Sequence, residues 1–138
     1  MKTLKTFSIV CVLACTYSCS NSDDDSTSNS PQQTTKELLT SGKWYYESKT
    51  PGSYTPCEKK GNIHFMTDGN MTLNSFDDSS GTCQSLGEVA ATYTLTNDVN
   101  ITITAGPDII IGTIDDISED EMTFISNGET LVFDKTEG

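Results

Sequence analysis

Residues 121–134, EMTFISNGETLVFD, decide the fold of this chain. Two runs in which polar and apolar residues alternate are joined by Asn127-Gly128, a favoured two-residue hairpin turn because both positions adopt a positive φ readily. The turn fixes the pairing register and so gives two pairs of large apolar residues on one face, Phe124 with Leu131 and Met122 with Phe133. The segment therefore predicts an antiparallel hairpin with one buried face.

The same alternation extends back to Lys43, with runs rich in Val, Ile, Thr, Tyr and Phe between Gly, Asn, Asp and Pro. A short helical turn over residues 35–39, with Thr35 as a possible cap, precedes the first run. The pattern predicts eight strands, at approximately 43–49, 62–66, 70–76, 88–95, 100–104, 109–114, 121–126 and 129–134.

Two further turns predict their own registers. A three-residue loop over 67–69, with Gly69 in the left-handed conformation, pairs Phe65 with Met71 and Ile63 with Leu73. The turn over 105–108 pairs Ile103 with Ile110 and Ile101 with Gly112. Because Ile109 and Ile111 are apolar too, the buried face of that strand stays open.

Consecutive hairpins with one apolar face can close into a barrel or stack as a sandwich. Short turns and the lack of a long crossover favour a meander, so the expected fold is all-β, an antiparallel up-and-down eight-stranded barrel. Such a barrel can be filled by side chains or can hold one small ligand, and the sequence leaves both open. The residues expected to point inward are Trp44, Tyr46, Ile63, Phe65, Met71, Leu73, Tyr93, Leu95, Ile101, Ile103, Met122, Phe124, Leu131 and Phe133.

The first 25 residues predict an exported, membrane-anchored protein. A basic start and a short apolar run over residues 1–18 are built like a secretory signal. The arrangement resembles a bacterial lipoprotein signal, in which a cysteine is diacylated and becomes the first residue of the mature chain. Cys15 fits the usual lipobox better. Cleavage before Cys19, however, leaves only Cys57 and Cys83 besides the acylated cysteine, and these two can pair. Cys19 is therefore the predicted lipidation site. An ordinary secreted protein is the alternative.

Residues 19–35 follow as a tether, because after Cys19 they hold no aliphatic or aromatic side chain that could build a core. The acidic run 23–25 resembles the export tag that sends some lipoproteins to the cell surface. We therefore expect a lipoprotein of the outer membrane, facing the exterior or the periplasm. Residues 36–138 are expected to form one domain.

Charge narrows the possible partners. The chain has 20 acidic residues against eight basic ones, all lysine, and a net charge of −12. A surface of that sign repels nucleic acid and anionic lipid head groups, so no nucleic-acid partner is expected. Two acyl chains on Cys19 would supply the membrane contact.

Cys57 and Cys83 flank predicted strands two and three. Export to an oxidising compartment predicts a disulfide between them, with a stabilisation of about 3 to 4 kcal/mol. The rival interpretation is a zinc site with His64, which would need carboxylates to complete four ligands.

Little in the sequence indicates catalysis. His64 is the only histidine and alternates with Ile63 and Phe65, so it should face solvent; no nucleophile elbow and no phosphate loop occur. The acidic cluster 115–121 could chelate Ca²⁺, but it lacks EF-hand spacing and is better interpreted as a charged turn. We expect no enzyme activity, no metal and no cofactor.

Gly42-Lys43-Trp44 carries the G-x-W pattern that opens lipocalins. Together with Leu38-Leu39 before it and the 57–71 segment after it, residues 37–135 resemble the lipocalin-like domains of bacterial lipoproteins. Lipocalins stack a last-strand arginine on this tryptophan; the chain has none, and Lys135 is the candidate to replace it. No T-D-Y motif and no C-terminal helix are evident.

The resemblance implies a barrel that binds a small hydrophobic or amphiphilic molecule. The alternative function is a non-catalytic envelope interaction module with a filled core. The residues expected to contact a ligand are Trp44, Tyr46, Phe65, Met71, Tyr93, Met122, Phe124 and Phe133.

Overall fold

The computed structural model describes residues 31–138, which form a closed antiparallel barrel with the strand order β1 to β8 and pairing of β1 with β8. One helix, α1, precedes the barrel at Thr35–Leu39, and a 3₁₀ turn spans Glu58–Lys60. The strands are β1 Lys43–Thr50, β2 Asn62–Phe65, β3 Asn70–Asp77, β4 Gln84–Thr96, β5 Asn100–Ala105, β6 Asp108–Ile117, β7 Glu121–Ser126 and β8 Glu129–Asp134. The predicted fold class is therefore confirmed.

The three predicted hairpin registers are confirmed. Asn127 and Gly128 both adopt a positive φ, 52° and 82°, and join β7 to β8 as a two-residue turn. Gly69 has a φ of 90° in the turn between β2 and β3. The confirmed pairs are Phe124–Leu131, Met122–Phe133, Phe65–Met71, Ile63–Leu73, Ile103–Ile110 and Ile101–Gly112.

Two strands, β4 and β6, extend well beyond their predicted ends, each past a bulge. β4 begins at Gln84 rather than at residue 88, since Gly87, with a φ of 92°, lets the strand continue past the irregularity opposite β3. β6 continues to Ile117 rather than ending at 114, because a register shift after Ile114 absorbs the acidic pair Asp115-Asp116. That pair is therefore part of a strand and not of a turn.

The helix cap also differs from the prediction. Thr34, not Thr35, is the capping residue: its side chain accepts a hydrogen bond from the Glu37 backbone N–H, and the Glu37 carboxylate accepts one from the Thr34 N–H at 2.7 Å. This reciprocal pair satisfies two backbone donors that a helix start leaves free. The bonds with Thr34 lower the pKa of the Glu37 carboxyl.

One end of the barrel is closed by α1. Leu39 and Trp44 are both fully buried, and the Trp44 indole N–H donates to the Leu39 carbonyl at 2.9 Å. Beside them, Phe65 and Tyr93 meet edge to face with ring centroids 5.0 Å apart, and the Tyr93 hydroxyl donates to the Met66 carbonyl. The buried tyrosine thus packs its ring and satisfies its polar atom.

All fourteen residues predicted to point inward belong to the core or pack against it. Leu39, Ala91, Ile114 and Ile117 join them. The open question on β6 is resolved by pairing: Ile110 lies opposite the inward Ile103, whereas Ile109 and Ile111 are largely exposed.

Candidate functional site

The barrel is open at the end opposite α1, where the loops β1–β2, β3–β4, β5–β6 and β7–β8 meet. A cavity of about 260 Å³ occupies this half. Most of its wall is apolar and comes from all eight strands, while Val89 and Ile110 at its edge are partly exposed to solvent. It is lined by Tyr46, Ile63, Met71, Leu73, Val89, Ala91, Ile103, Ala105, Ile110, Phe124, Ser126, Asn127, Glu129, Leu131 and Phe133.

The other half of the barrel is filled. Below the cavity, a void of only about 10 Å³ remains. A space of that size holds at most one water molecule. It lies among Ile63, Phe65, Ile101, Ile103, Met122, Phe124 and Phe133. The sequence left open whether the barrel is filled by side chains or hollow. In the structure the half next to α1 is filled and the other half is hollow.

Phe124 lines both the cavity and the small void, and a glycine makes room for it. A Cβ added to Gly112 would overlap the Phe124 ring and would lie 2.7 Å from the Ile125 carbonyl oxygen. Only glycine at this position lets the ring lean against the β6 backbone. Gly61 does the same for the Tyr46 ring, which a Cβ at residue 61 would overlap.

A second, more polar cavity of about 280 Å³ adjoins the first under the β1–β2 loop. Three residues, Tyr46, Glu129 and Leu131, line both cavities. The rest of its wall is Lys49, Tyr54, Glu58, Ser75 and Phe76. The mouth is therefore apolar on its β4–β6 side and polar on the side of β1, β8 and the β1–β2 loop.

Two tyrosine rings stand in this polar part. The centroids of Tyr46 and Tyr54 are 5.0 Å apart, and the Lys49 ammonium lies 4.6 Å from the Tyr54 centroid. Burial raises the pKa of the Tyr46 phenol to about 12, against the opposing effect of a hydrogen bond with Ser75. Burial also raises the pKa of Tyr54, and the neighbouring Tyr46 phenol and the Glu129 and Glu58 carboxylates add to this.

The β1–β2 loop is held in place by covalent and polar contacts. Cys57 and Cys83 form a disulfide with Cα atoms 5.5 Å apart, which confirms the predicted pairing over a zinc site. Thr55 and Glu58 exchange hydrogen bonds between side chain and backbone. Lys59 forms an ion pair of 2.9 Å with Glu47 on β1. The loop that carries Tyr54 and Glu58 is thus fixed to the barrel at several points.

The eight residues predicted to contact a ligand divide between the two halves. Tyr46, Met71, Phe124 and Phe133 line the open cavity. Trp44, Phe65, Tyr93 and Met122 are buried in the closed half and do not line it. They lie at the α1 ends of their strands, so alternation placed them inward correctly but did not show how deep the cavity extends.

The sequence missed several lining residues. Val89, Ala91 and Ala105 extend the inward periodicity of β4 and β5 toward the mouth, and Ile110 does so on β6. A two-residue count from Tyr93 and Ile103 would have found the first three. Ser126 and Glu129 flank the Asn127-Gly128 turn and occupy the next inward positions of β7 and β8.

Lys135 takes the place predicted for it. Its ammonium lies 3.3 Å from the centroid of the Trp44 ring and donates to the Ser41 hydroxyl at 3.0 Å. The closed end thus has a cation over the tryptophan, although the residue is lysine rather than arginine.

The other features that the sequence singled out do not form a metal site in the part of the chain that the structure describes. Residues 31–138 contain no group of three or more His, Cys, Asp or Glu side chains arranged to hold a metal ion. His64 is half-buried and faces away from the inward Ile63 and Phe65. Among helices in the same range, none has the length and apolar character to cross a membrane.

A family comparison matches the lipocalin-like domain over residues 40–133. The chain belongs to the lipocalin-like domain family. Two solved structures share the fold of this lipocalin-like barrel. A lipocalin-like protein from Bacteroides uniformis has a TM-score of 0.55 and 15% identity, covering 71% of this chain and 99% of its own.

The second is an uncharacterized protein from Bacteroides eggerthii, with a TM-score of 0.53 and 16% identity, covering 69% of this chain and 98% of its own. At these identities the likeness concerns the lipocalin-like fold alone. No curated protein matches this chain.

Proposed function

We propose that this lipocalin-like protein binds one small hydrophobic or amphiphilic molecule in the open end of its barrel and carries it at a bacterial outer membrane, anchored through a diacylated Cys19. The observation that carries the binding proposal is the half-open apolar cavity of about 260 Å³. A buried apolar cavity of roughly 150 Å³ holds benzene, and drug-sized sites start near roughly 300 Å³. The cavity therefore suits a small ligand or one end of a longer one.

The apolar wall of this cavity makes the binding of a hydrophobic molecule favourable. Each Å² of apolar surface removed from water stabilises the bound state by about 25 cal/mol. The filled lower half provides a rigid floor, and the wall needs no rearrangement to admit a ligand. The polar groups on one side of the mouth can fix the orientation of an amphiphile, as a few polar groups do in most small-molecule sites.

The cavity proposal is tested by filling the cavity. Ala91→Phe places a ring in the cavity beside Met71, its partner on β3, whereas Ala90→Phe places the same ring on the outer face of the same strand. Native mass spectrometry of the chain isolated from its own host should show a bound small molecule on the unmodified protein and on Ala90→Phe, and none on Ala91→Phe. Equal occupancy of all three, or no bound mass on any, would contradict ligand binding in the cavity.

The anchor proposal rests on residues 1–25 and lies outside the described residues. Its test uses the two rival cysteines as a matched pair. Cys19→Ala should move the protein from the membrane to the soluble fraction, and Cys15→Ala should leave it with the membrane. Membrane association that survives Cys19→Ala would refute the assignment, and protease treatment of intact cells would separate an outward from a periplasmic orientation.

A second candidate, an envelope interaction module, has one structural observation in its favour. Ile109 and Ile111 on β6 are 65% and 66% exposed, and Ile125 on the neighbouring β7 is partly exposed. Apolar side chains grouped on a surface are common at protein contacts. Crosslinking in intact cells tests this: Ile109→Asp with Ile111→Asp should abolish a specific crosslinked partner. Ser48→Asp with Thr50→Asp, at two exposed positions of β1 three strands away, should not.

A further inference from the structure

The two cavities at the mouth offer different chemistry within reach of one molecule. Tyr46, Glu129 and Leu131 line both of them, so the spaces adjoin. The larger part of the first wall is apolar, whereas the second contains two carboxylates, two phenols, a hydroxyl and an ammonium. A ligand with a short apolar tail can therefore place its head group in the polar cavity.

The polar cavity has an excess of negative charge. Glu58 and Glu129 face it, against the single ammonium of Lys49. Within residues 31–138 the one ion pair joins Lys59 to Glu47, so no lysine of that range lies at ion-pair distance from either carboxylate. This range carries six lysines and 17 acidic residues, a net charge of −11. A negatively charged head group would meet repulsion both locally and from the whole domain.

The two tyrosine rings in this cavity also favour a positively charged ligand over a negatively charged one. Tyr46 and Tyr54 stand 5.0 Å apart at an interplanar angle of 49°, and together they form part of the wall. The electron-rich face of such a ring attracts ammonium groups. The chain's own Lys49 ammonium already occupies one such position, 4.6 Å from the Tyr54 centroid. Among the described residues no cation lies over the Tyr46 ring, so this ring and the two carboxylates are left for the ammonium of a ligand.

We propose that the ligand is an amphiphile with an ammonium head group, whose tail enters the apolar cavity and whose cation lies among Tyr46, Tyr54, Glu58 and Glu129. This inference rests on the proposed function, because it requires the apolar cavity to be a binding site. It adds the charge class of the ligand. Fatty acids and other carboxylate amphiphiles are excluded as preferred ligands on this basis.

Three amphiphiles with the same tail test the proposal. Octylammonium, octanol and octanoate are titrated by calorimetry into the full chain held in nanodiscs of a neutral diacyl glycolipid, which carries no ammonium group, and the heats of empty nanodiscs are subtracted. We expect octylammonium to bind about tenfold more tightly than octanoate, with octanol between them. Glu129→Gln should weaken octylammonium binding about fivefold and leave octanol unchanged.

A carboxylate far from the mouth provides the control. Glu121 is exposed at the start of β7, at the α1 end of the barrel, and Glu121→Gln makes the same change in net charge. It should leave all three affinities unchanged. Equal effects of the two variants would show a general charge effect and overturn the head-group site.

The remaining outcomes separate the two proposals. Octanol bound as tightly as octylammonium, or octanoate bound most tightly through Lys49, overturns the ammonium proposal and leaves the apolar site standing. If none of the three amphiphiles binds, the proposed function fails together with this inference.

Discussion

The Lys135 ammonium lies 3.3 Å from the centroid of the Trp44 ring and joins the end of β8 to the start of β1 across the closed end of the barrel. The same ammonium donates to Ser41, which follows α1, so one lysine links the helix, the first strand and the last. Trp44 in turn is bound to Leu39 through its indole N–H. The end of the barrel is therefore closed by a connected set of side chains.

Removing this side chain should destabilise the fold. Lys135→Ala is expected to lower the free energy of unfolding by about 1 to 2 kcal/mol, because the Trp44 ring loses the methylenes that cover it and Ser41 loses a hydrogen bond. Lys135→Arg should retain most of the stability, since a guanidinium also stacks on an indole. Urea unfolding measures both, with Lys43→Ala, an exposed lysine beside Trp44, as the control. A loss as large for Lys43 as for Lys135 would contradict the role of the stack.

Stability should also depend on pH through Lys135. Burial lowers the pKa of its ammonium to about 8, while the Asp120 carboxylate opposes the lowering, as does the Trp44 ring. Because the unfolded chain then binds the proton more tightly than the folded one, the free energy of unfolding rises with pH between about 8 and 10.5.

Urea unfolding at pH 7.5 and at pH 9.5 tests this rise. Lys135→Arg is the matched variant, since arginine stays protonated throughout and should lack the lysine's contribution to the slope. Identical slopes for the two proteins would show that the lysine does not titrate in this window.

The disulfide should matter for the mouth as well as for stability. Replacing Cys57 and Cys83 together by Ala is expected to cost about 3 to 4 kcal/mol, since the unfolded chain regains the freedom of the closed loop. Cys57 directly precedes Glu58, so the loop that lines the polar cavity should also lose order. Hydrogen exchange of the 54–60 amides would measure the second effect. Unchanged exchange would mean that the Thr55–Glu58 bonds suffice to hold the loop.

Thr34 caps α1 and the neighbouring Thr35 does not, so the two threonines should differ in their effect on stability. Thr34→Ala removes the acceptor for the Glu37 N–H and should cost about 1 kcal/mol, whereas Thr35→Ala should be nearly neutral. Both variants are compared by urea unfolding and by exchange of the Leu38 amide, which bonds to the Thr34 carbonyl. A greater loss for Thr35 would place the cap where the sequence pattern alone suggested it.

Pairing registers could be predicted from the sequence because short turns leave no freedom. Asn127-Gly128 fixes which residues of β7 and β8 are opposite, and the apolar pattern then agrees with that register. Strand ends were less predictable, since bulges interrupt the alternation. The fourth strand was predicted to begin at residue 88, yet in the structure Gly87 lies within β4.

The boundary between filled and open halves could not be predicted. Trp44 and Tyr46 are both large, aromatic and inward on the same strand, yet only Tyr46 reaches the cavity. What separates them is three-dimensional: α1 covers the end where Trp44 lies, and loops leave the other end open. The polar cavity depends on the β1–β2 loop, whose path no alternation rule describes.

Gly112 has a consequence for how this barrel could change its cargo. The Phe124 ring rests against a backbone that lacks a side chain, and together with Ile63, Ile103 and Phe133 it lies between the filled base and the hollow mouth. A single methyl group at residue 112 would displace the ring and so alter the floor of the cavity, while a smaller residue at 124 would deepen it. Substitutions at these two positions would therefore change the length of tail that the barrel can admit without changing the number of strands.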